Sequence, residues 1–590
     1  MEQNGHTQSE GEKPGSDSVA PSSTQEAAAP LPQASPPRTT STAKGWRFWA
    51  VFPALCVTTL LAAVESTVVA TAMPFIANEI GAGDSYVWIV NVYLLTSCAF
   101  LPLIGQLANI WGRRYLMIAV ICLFALGSGI AGGSTNVAMM IAGRAIQGMG
   151  GGGVNLVIML IVGDLVPLRE RGKYMGAIFM FFTLGTAMGP FIGGAIVERS
   201  NWRWVFYINL PIAGLALLLH ILFLQVNFNR QGSLSEKLKR IDYMGNLILV
   251  LSVVAVLIAL SWGGARYPWG SYQVIVPFVL GLVGLVAFHF YEMAPWVKAP
   301  VLPERLFKRR TPAAALIIAF IDFMMLYWLI FFFPVYLQAV KGLSPIQSGV
   351  QFLPSSAISV FTGTASGFIL SKWGRYRPMH FISFVLMAIG LGLFSRFDKD
   401  TSKAEYIGIQ VIFALGLGLL MTSNLPAVQA DLPEADAGVS AAAFNFMRSY
   451  GAIWGVSIPA AIFNARCDAE SWRISDPVIR SQLTGGKAYD FVSRSGDTIL
   501  NSTSNVQSEV VDVYTRSLRL TWQISLAFAL LGFLLVFVEK EISLRKTLDT
   551  EFGLKDAKKK NSDSDVEAVQ TPPKAEAQGN AAQNGGSDAH

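Results

Sequence analysis

Apolar residues occur along this chain in long blocks that are separated by short polar stretches. Each block is about twenty residues long, which is the length that an α-helix needs to cross the hydrocarbon core of a bilayer. We therefore predict a membrane-spanning helix for every block. The fourteen predicted spans are 48–72, 87–108, 115–133, 137–160, 174–197, 203–224, 242–262, 272–292, 312–336, 347–370, 378–395, 405–426, 441–463 and 517–538.

The two ends of the chain are polar. Residues 1–44 are rich in Pro, Ser, Gly, Gln and Glu, and residues 546–590 combine a lysine run with Asn, Gly and Ala. Such compositions bury too little apolar surface to fold, so we predict two disordered tails. Because a polar tail precedes the first block, no cleaved signal peptide is expected, and the first span is predicted to start membrane insertion itself.

The distribution of positive charge predicts the side on which each loop lies. With a cytosolic N-terminus, the inner loops hold seventeen Lys and Arg residues and the short outer loops hold seven, as the positive-inside rule requires. Fourteen spans then place the C-terminus in the cytosol as well. The long polar segment 464–516 falls on the exoplasmic side, where its Asn501-Ser502-Thr503 sequon predicts glycosylation of Asn501.

Composition agrees with a membrane protein. Hydrophobic residues make up 52% of the chain and charged residues only 14%, whereas soluble domains carry about 25% charged residues. A soluble multidomain enzyme is therefore excluded. The net charge of +6 does not call for a nucleic-acid partner. Four cysteines without metal-ligand spacing predict neither a disulfide framework nor a metal site.

An internal repeat divides the predicted spans. Residues 105–114 and 367–377 each contain two glycines seven positions apart, a Trp before the second glycine and cationic residues after it. The two segments lie eight spans apart. This spacing predicts an all-α fold with two six-helix halves, 48–224 and 312–538, and two extra linker helices in 242–292. Duplicated helical halves with a path between them are typical of secondary transporters.

The first copy of this repeat is also a candidate gate on the cytosolic side. Its glycines allow a tight reversal, and we predict that Arg113 or Arg114 pairs with Asp164 as a latch that can open. The alternative is that the arginines only anchor the topology. The predicted gate residues are Gly105, Asn109, Gly112, Arg113, Arg114 and Asp164.

Four segments together resemble the motifs of one family. Residues 105–114 resemble the signature between helices two and three of the major facilitator superfamily. Residues 143–148 resemble its helix-four motif with a buried arginine, and residues 185–194 the helix-five motif of its drug:proton antiporters. Residues 61–74 resemble the first-helix motif of the fourteen-span drug:H⁺ antiporter branch, whose fungal members include mycotoxin and multidrug efflux carriers. The resemblance covers about residues 48–540.

Two positions depart from the family pattern. Asn109 stands where the family loop usually has Asp, so one charge is missing from the latch. Glu65 stands where the first helix of the family usually has Asp, which keeps a carboxylate on a longer side chain. The resemblance implies that the bend of the fifth span helps to set the direction of transport.

The fifth span also has a motif that residue chemistry explains. Gly185, Gly189 and Gly193 recur every four residues and permit close approach of a neighbouring helix along one face. Pro190 removes a helical hydrogen-bond donor and favours a kink. Ordinary tight packing explains part of this pattern. The G-x-G-x-x-G sequence at 148–153 lies inside an apolar helical span rather than after a strand, so we reject dinucleotide binding.

Ionisable residues inside the spans are candidates for function, because a charge at mid-bilayer costs about 2.5–3.5 kcal/mol even on the lenient insertion scale. They are Glu65, Arg144, Asp322 and Arg448. We expect Glu65 to carry a coupling proton, with Asp322 as the second candidate and Arg144 tuning or transmitting its state. The alternative, closest for Asp322 and Arg448, is a satisfied pair between helices.

A cavity for substrate is expected between the two halves. Its predicted lining residues are Tyr93, Gln147, Asn155, Asn445 and Trp454. Aromatic residues at the centre of the spans would suit a large, lipophilic substrate.

These observations predict a proton-coupled exporter of lipophilic small molecules that works by alternating access. No G-x-x-x-x-G-K-[ST] loop exists, so the energy is expected to come from a gradient, without cofactors. An importer of siderophores or a vacuolar amino-acid transporter of the same fold is the nearest alternative, and a membrane-embedded enzyme or receptor is less favoured. We predict a monomer in the plasma membrane, with a vacuolar or vesicular membrane as the alternative.

Overall fold

The computed structural model describes residues 45–81, 86–225, 233–264, 266–297, 299–489, 491 and 504–548. The two predicted disordered tails lie outside these residues, apart from Lys546, Thr547 and Leu548. Within the described residues the chain is helical. The helices are α1 (Trp46–Glu79), α2 (Tyr86–Ala99), α3 (Leu101–Trp111), α4 (Arg113–Gly132), α5 (Val137–Leu165), α6 (Leu168–Arg199), α7 (Trp204–Tyr207), α8 (Asn209–Phe223), α9 (Leu234–Leu238), α10 (Tyr243–Trp262), α11 (Tyr272–Glu292), α12 (Arg305–Lys308), α13 (Arg310–Val335, continued by a π-helical turn, Tyr336–Val340), α14 (Pro345–Trp373), α15 (Arg377–Phe394), α16 (Lys403–Ala430), α17 (Ala437–Glu470), α18 (Pro477–Leu483) and α19 (Ser504–Val538).

Each predicted span coincides with one of these helices or with two consecutive ones. Among the described residues, twelve helices are long and apolar enough to cross a membrane, and the bent pair α2–α3 makes a thirteenth span. The predicted span 441–463 lies in α17, which is long enough, at 34 residues, but contains Asn445 and Arg448 and is more polar than the others. The protein is thus a multi-pass membrane protein, and the count of fourteen spans stays a prediction.

In each copy of the glycine repeat, a glycine with positive φ follows a helix. Gly112 follows α3 with φ 81°, and Gly374 follows α14 with φ 71°. Positive φ values are easily adopted only by glycine, so the same residue type ends the second span of each half. The two copies therefore share a positive-φ glycine, while ψ differs, at 164° for Gly112 and 16° for Gly374.

The two helix sets, α1–α8 and α13–α19, meet at the end that the charge pattern assigns to the cytosol; we call this the cytosolic end. A Cβ atom on Gly367 of α14 would lie 2.3 Å from the carbonyl oxygen of Gly172 in α6, so the two backbones touch there. The Thr364 hydroxyl donates to the Gly176 carbonyl oxygen at 3.3 Å. Among the described residues, the hydrogen bonds that join the two helix sets all lie in this cytosolic part.

The linker helices α10 and α11 form a hairpin that contacts both helix sets. Trp262 at the end of α10 packs edge-on against Trp88 of α2, with ring centroids 6.0 Å apart. Phe278 of α11 packs against Trp454 of α17 at 6.2 Å. The hairpin therefore lies beside the boundary between the two sets.

The predicted exoplasmic loop 464–516 is shorter than expected. Helix α17 continues through Glu470 and α19 begins at Ser504, and the short helix α18 lies between them. Polar residues at the ends of long helices made these turns look like loop in the sequence. The glycosylation candidate Asn501 lies outside the described residues.

Candidate transport site

A charged cluster lies at the centre of the first helix set. The Glu65 side chain of α1 and the Arg144 side chain of α5 form an ion pair, and both residues are almost fully buried. The second carboxylate oxygen of Glu65 accepts a hydrogen bond from the Asn209 amide at the start of α8. Both carboxylate oxygens are thus occupied, as a buried charge requires.

Arg144 is held from three further sides. Its Nε donates to the Ile89 carbonyl oxygen at 3.1 Å, and its Nη1 also donates to Gln147 Oε1 at 2.7 Å. Its guanidinium carbon lies 4.4 Å from the centre of the Tyr93 ring, a cation–π distance. A proton on Glu65 would remove the negative charge that holds Arg144, so protonation and this ion pair compete.

Gln147, which we predicted to line the cavity, also takes part in this cluster. It is fully buried, and its Nε2 donates to the Ser128 hydroxyl at 2.7 Å. Since its oxygen accepts from Arg144, Gln147 links the charged pair to α4.

The glycine motif of α6 packs on the motif that carries Glu65. A Cβ atom on Gly185 would lie 2.6 Å from Ala63 Cβ, and one on Gly189 would lie 1.9 Å from Thr67 Oγ1. Gly193 is also buried, and α6 runs as one continuous helix through Pro190. These glycines therefore fix the position of α1 on α6, close to the buried carboxylate.

One face of α5 shows where the two helix sets separate. Met159 is buried, and its sulfur accepts from Asn445 of α17 at 3.0 Å. Asn155 lies one turn away on the same face, toward the exoplasmic end, and is exposed although the residues beside it are buried. The sets thus touch at Met159 and part at Asn155, so the space between them opens toward the exoplasmic end.

Of the other predicted lining residues, Tyr93 reaches this face of α5, and Trp454 lies beside the linker hairpin. The Tyr93 hydroxyl lies 2.3 Å from where a Cβ on Gly151, one turn before Asn155, would be. Trp454 is half-buried and packs on Phe278 of the linker hairpin. The structure therefore brings Tyr93 and Asn155 together at the opening and Asn445 to its floor.

A second carboxylate lies in the other helix set. Asp322 of α13 is buried, and its Oδ1 has no hydrogen-bond partner. The Arg448 guanidinium of α17 lies 3.8 Å above the Phe323 ring, and its Nε is likewise unpartnered. Among the described residues, no ion pair within 4.0 Å joins these two side chains.

The predicted cytosolic gate has a definite pairing. Arg113 Nε lies 2.6 Å from Asp164 Oδ2, and Arg113 Nη1 donates to the Ala108 carbonyl oxygen at 3.0 Å and to Asn109 Oδ1 at 3.3 Å. Arg114 instead donates to the Ile221 carbonyl oxygen of α8 at 2.7 Å. The ion pair therefore uses Arg113.

Two residues of this loop region also touch the other helix set. A Cβ on Gly105 would lie 2.3 Å from Ala442 Cβ in α17, and one on Gly438 would lie 2.5 Å from Asn109 Oδ1. Asn109 thus bonds Arg113 and borders α17 at once. An amide serves both contacts without bringing a further negative charge beside Asp164.

With this geometry in place, the chain can be compared with known proteins. The sequence model of the Major Facilitator Superfamily matches residues 55–456, which is more than half of the chain. The chain belongs to the major facilitator superfamily. This confirms the resemblance found in the four motifs and, with it, the fold class.

Relatives of this major facilitator cover nearly its whole length. The MFS efflux transporter aclA of Aspergillus oryzae is 46% identical, over 92% of this chain and 98% of the relative. The efflux pump FUS6 of Gibberella fujikuroi is 43% identical, over 90% and 96% respectively. The MFS-type transporter gkaD of Penicillium citrinum is 45% identical, over 89% and 90%.

Solved structures of other major facilitators have the same fold. The proton:xylose symporter XylE, bound to a bromodeoxyglucose, aligns with a TM-score of 0.53 over 85% of this chain and 98% of its own, at 15% identity. The human organic anion transporter MFSD10 aligns with a TM-score of 0.52 over 83% and 99%, also at 15% identity. At this identity the likeness concerns the fold alone. This major facilitator is accordingly a transporter and not an enzyme.

Sequence reasoning missed two parts of the site in this major facilitator. Asn209 was overlooked because it lies near the start of a span, where a polar residue looks like part of a loop. Arg171 was counted only as a topological charge, but its Nη1 donates to Gln429 Oε1 in the other helix set at 2.6 Å. Its neighbour Arg169 donates from Nε to the Ser371 carbonyl oxygen at 2.7 Å. Only the tertiary structure brings these partners together.

Proposed function

We propose that this major facilitator exports lipophilic small molecules, fungal secondary metabolites or toxins among them, across the plasma membrane in exchange for protons. The observation that carries the proposal is the buried Glu65–Arg144–Asn209 cluster beside a space that opens toward the exoplasmic end. Relatives at 43–46% identity are named efflux transporters and efflux pumps, which supports export rather than uptake.

The proposed cycle follows from the competition at Glu65. In the exoplasmic-open state, a proton that reaches Glu65 neutralises the carboxylate and releases Arg144 from its ion pair. A buried arginine without its partner is costly, so the helices that carry it are driven to rearrange. Opening of the cytosolic end then lets the proton leave, and the restored ion pair accompanies capture of substrate from the cytosol.

Asp322 is the second proposed proton-binding residue. Its unpartnered Oδ1 and the nearby Arg448 provide a carboxylate and a cation in the other half that the structure does not join. The open side of α5, with Asn155 and Tyr93, is the proposed contact surface for substrate.

The test is deletion of the gene in its own host, followed by complementation with the wild type, Glu65→Gln or Glu65→Asp. Lipophilic metabolites are measured in the medium and in the cells at several external pH values. We expect the deletion strain to retain metabolites that the wild type secretes. Glu65→Gln should lower pH-dependent secretion about tenfold or more at normal protein abundance, which corresponds to a loss of roughly 1.4 kcal/mol.

Glu65→Asp is the matched control, because it keeps the carboxylate and matches the residue usual in the family. It should retain more secretion than Glu65→Gln at every pH. Unchanged retention of metabolites in the deletion strain would refute export. Wild-type secretion by Glu65→Gln would refute the role of Glu65 while leaving export intact.

A further inference from the structure

The segment that follows the last helix, residues 539–548, has no regular secondary structure and lies against the cytosolic end. Leu544 and Leu548 are 4% and 5% exposed, although no helix contains them. Leu544 belongs to a hydrophobic cluster that includes Leu168 of α6 and Val428 of α16. Leu544 is therefore buried in a cluster to which both helix sets contribute.

The beginning of this segment is fixed to the second helix set. Glu539 is 2% exposed, and its Oε2 lies 2.9 Å from Nδ1 of His380 in α15. The Lys540 amide donates to Thr311 Oγ1 of α13 at 3.1 Å, and the Tyr376 hydroxyl donates to the Lys540 carbonyl oxygen. The segment therefore leaves α19 in a defined direction.

Farther along, Arg545 contacts both helix sets. Its guanidinium donates to the carbonyl oxygens of Leu432 at 2.6 Å and Gln429 at 3.2 Å, at the end of α16. Its own carbonyl oxygen accepts the Arg169 amide, in the first turn of α6, at 3.2 Å. Arg545 thus connects the end of a helix in one set with the start of a helix in the other.

Helix-end chemistry explains why these contacts hold. The first amides and the last carbonyls of an α-helix have no partner within the helix. A cation is favourable at a helix C-terminus, where the carbonyls carry partial negative charge. The Arg545 guanidinium places a cation at the C-terminal end of α16, and the Arg545 carbonyl oxygen accepts the Arg169 amide, which has no partner within α6. Arg171 of α6 binds Gln429 beside it. Separation of the two helix sets at this end would break the Arg169–Arg545 backbone bond and the Arg171–Gln429 bond.

We propose that residues 539–548 form a cytosolic strap that stabilises the closed cytosolic end and is released in each transport cycle, with Arg545 as the positioning residue that ties it to both halves. The proposal rests on the alternating access of the proposed function. The strap favours the exoplasmic-open state and opposes the state in which substrate enters from the cytosol.

The test measures access to the cytosolic closure and needs no substrate. Thr422 is 4% exposed, and its carbonyl oxygen lies 3.3 Å from where a Cβ on Gly172 of α6 would be. Thr422→Cys is placed in a protein whose native cysteines, Cys56, Cys98, Cys122 and Cys467, are replaced by Ser. A membrane-impermeant maleimide is applied to the cytosolic face of inside-out vesicles, and the labelling rate of Thr422→Cys is recorded.

Arg545→Ala should label about tenfold faster than the parent, the change expected from a loss of roughly 1.4 kcal/mol of closure. Lys546→Ala is the matched control, because Lys546 is exposed beside Arg545, and it should label at the parent rate. Truncation after Val538 should label as fast as Arg545→Ala, and truncation after Leu548 should label as slowly as the parent. The apparent melting temperature of Arg545→Ala should stay within a few degrees of the control.

Equal rates for Arg545→Ala and Lys546→Ala would overturn the proposal, as would fast labelling after truncation at Leu548. If the Val538 truncation is not produced, the two point variants decide. Failure of the proposed function is measured separately, as secretion in the deletion host. If the protein does not export metabolites, the control Lys546→Ala restores no secretion, whatever the labelling rates are.

Discussion

Arg113 and Arg114 are neighbours in the sequence, yet the fold gives them different partners. Arg113 is 4% exposed and pairs with Asp164, whereas Arg114 is half-buried and contacts one backbone carbonyl. Charge patterning alone gave both residues the same value as topological anchors. The difference depends on which side chain turns toward the end of α5, and this is a property of the tertiary structure.

This difference gives a prediction at the scale of single residues. Arg113→Ala leaves the Asp164 carboxylate buried without its main cation, which costs about 3–5 kcal/mol for a buried pair. Arg114→Ala loses an exposed contact and should cost less than about 1 kcal/mol. Apparent melting temperatures in detergent compare the two variants. Equal losses of melting temperature would show that the Arg113–Asp164 pair stabilises the protein no more than the Arg114 contact does.

Helices α1 and α6 show the same contrast between neighbouring positions at the scale of elements. Glycines at four-residue spacing face α1 from α6, whereas Gly194, which lies outside that spacing, faces no other backbone. A Cβ on Gly185 meets Ala63 Cβ at 2.6 Å and the Leu60 carbonyl oxygen at 3.1 Å, while a Cβ on Gly194 meets nothing within 4 Å.

Gly185→Ala should therefore force α1 away from α6, at a cost of about 1–3 kcal/mol for overpacking. Gly194→Ala has room and should be neutral or stabilising by up to about 1 kcal/mol, because alanine favours the helix. Melting temperature and secretion are measured for both. Because α1 carries Glu65, Gly185→Ala should lose more secretion than the loss of folded protein accounts for. A loss of secretion that the loss of folded protein fully explains would contradict a link between this packing and the carboxylate.

The elements themselves were largely predictable. Apolar blocks of membrane-spanning length become helices because a bilayer leaves backbone groups no other partners, so each predicted span coincides with helical residues. Helix ends and polar bonds between helices were not predictable to the same degree. Asn209 and Gln147 hold the charged cluster through contacts that join residues far apart in the sequence, and no local pattern encodes such contacts.

At the scale of the whole molecule, the structure is closed at one end and parted at the other. Gly105 is a direct contact of the closed end, since a Cβ there would lie 2.3 Å from Ala442 Cβ. Gly349 of α14 has nothing within 4 Å of such a Cβ and provides a control for adding a methyl group to a helix.

Gly105→Ala should push the two helix sets apart at the cytosolic end and raise the labelling rate of Thr422→Cys several-fold, roughly 5-fold for a change of 1 kcal/mol. Gly349→Ala should label at the parent rate. The same vesicle assay that tests the strap checks this expectation. If Thr422→Cys labels no faster with Gly105→Ala than with Gly349→Ala, the contact at Gly105 does not stabilise the closed cytosolic end.

The position of the strap at the end of the chain has a consequence for biosynthesis. A ribosome produces residues 539–548 only after every membrane helix has been made, and domains generally fold as their segments emerge. Arg545 therefore becomes available to join α6 and α16 only when both helix sets have left the ribosome. A nascent chain therefore lacks the strap contacts throughout membrane insertion. A product of premature termination before Glu539 lacks them permanently, so its closed cytosolic end is less stable.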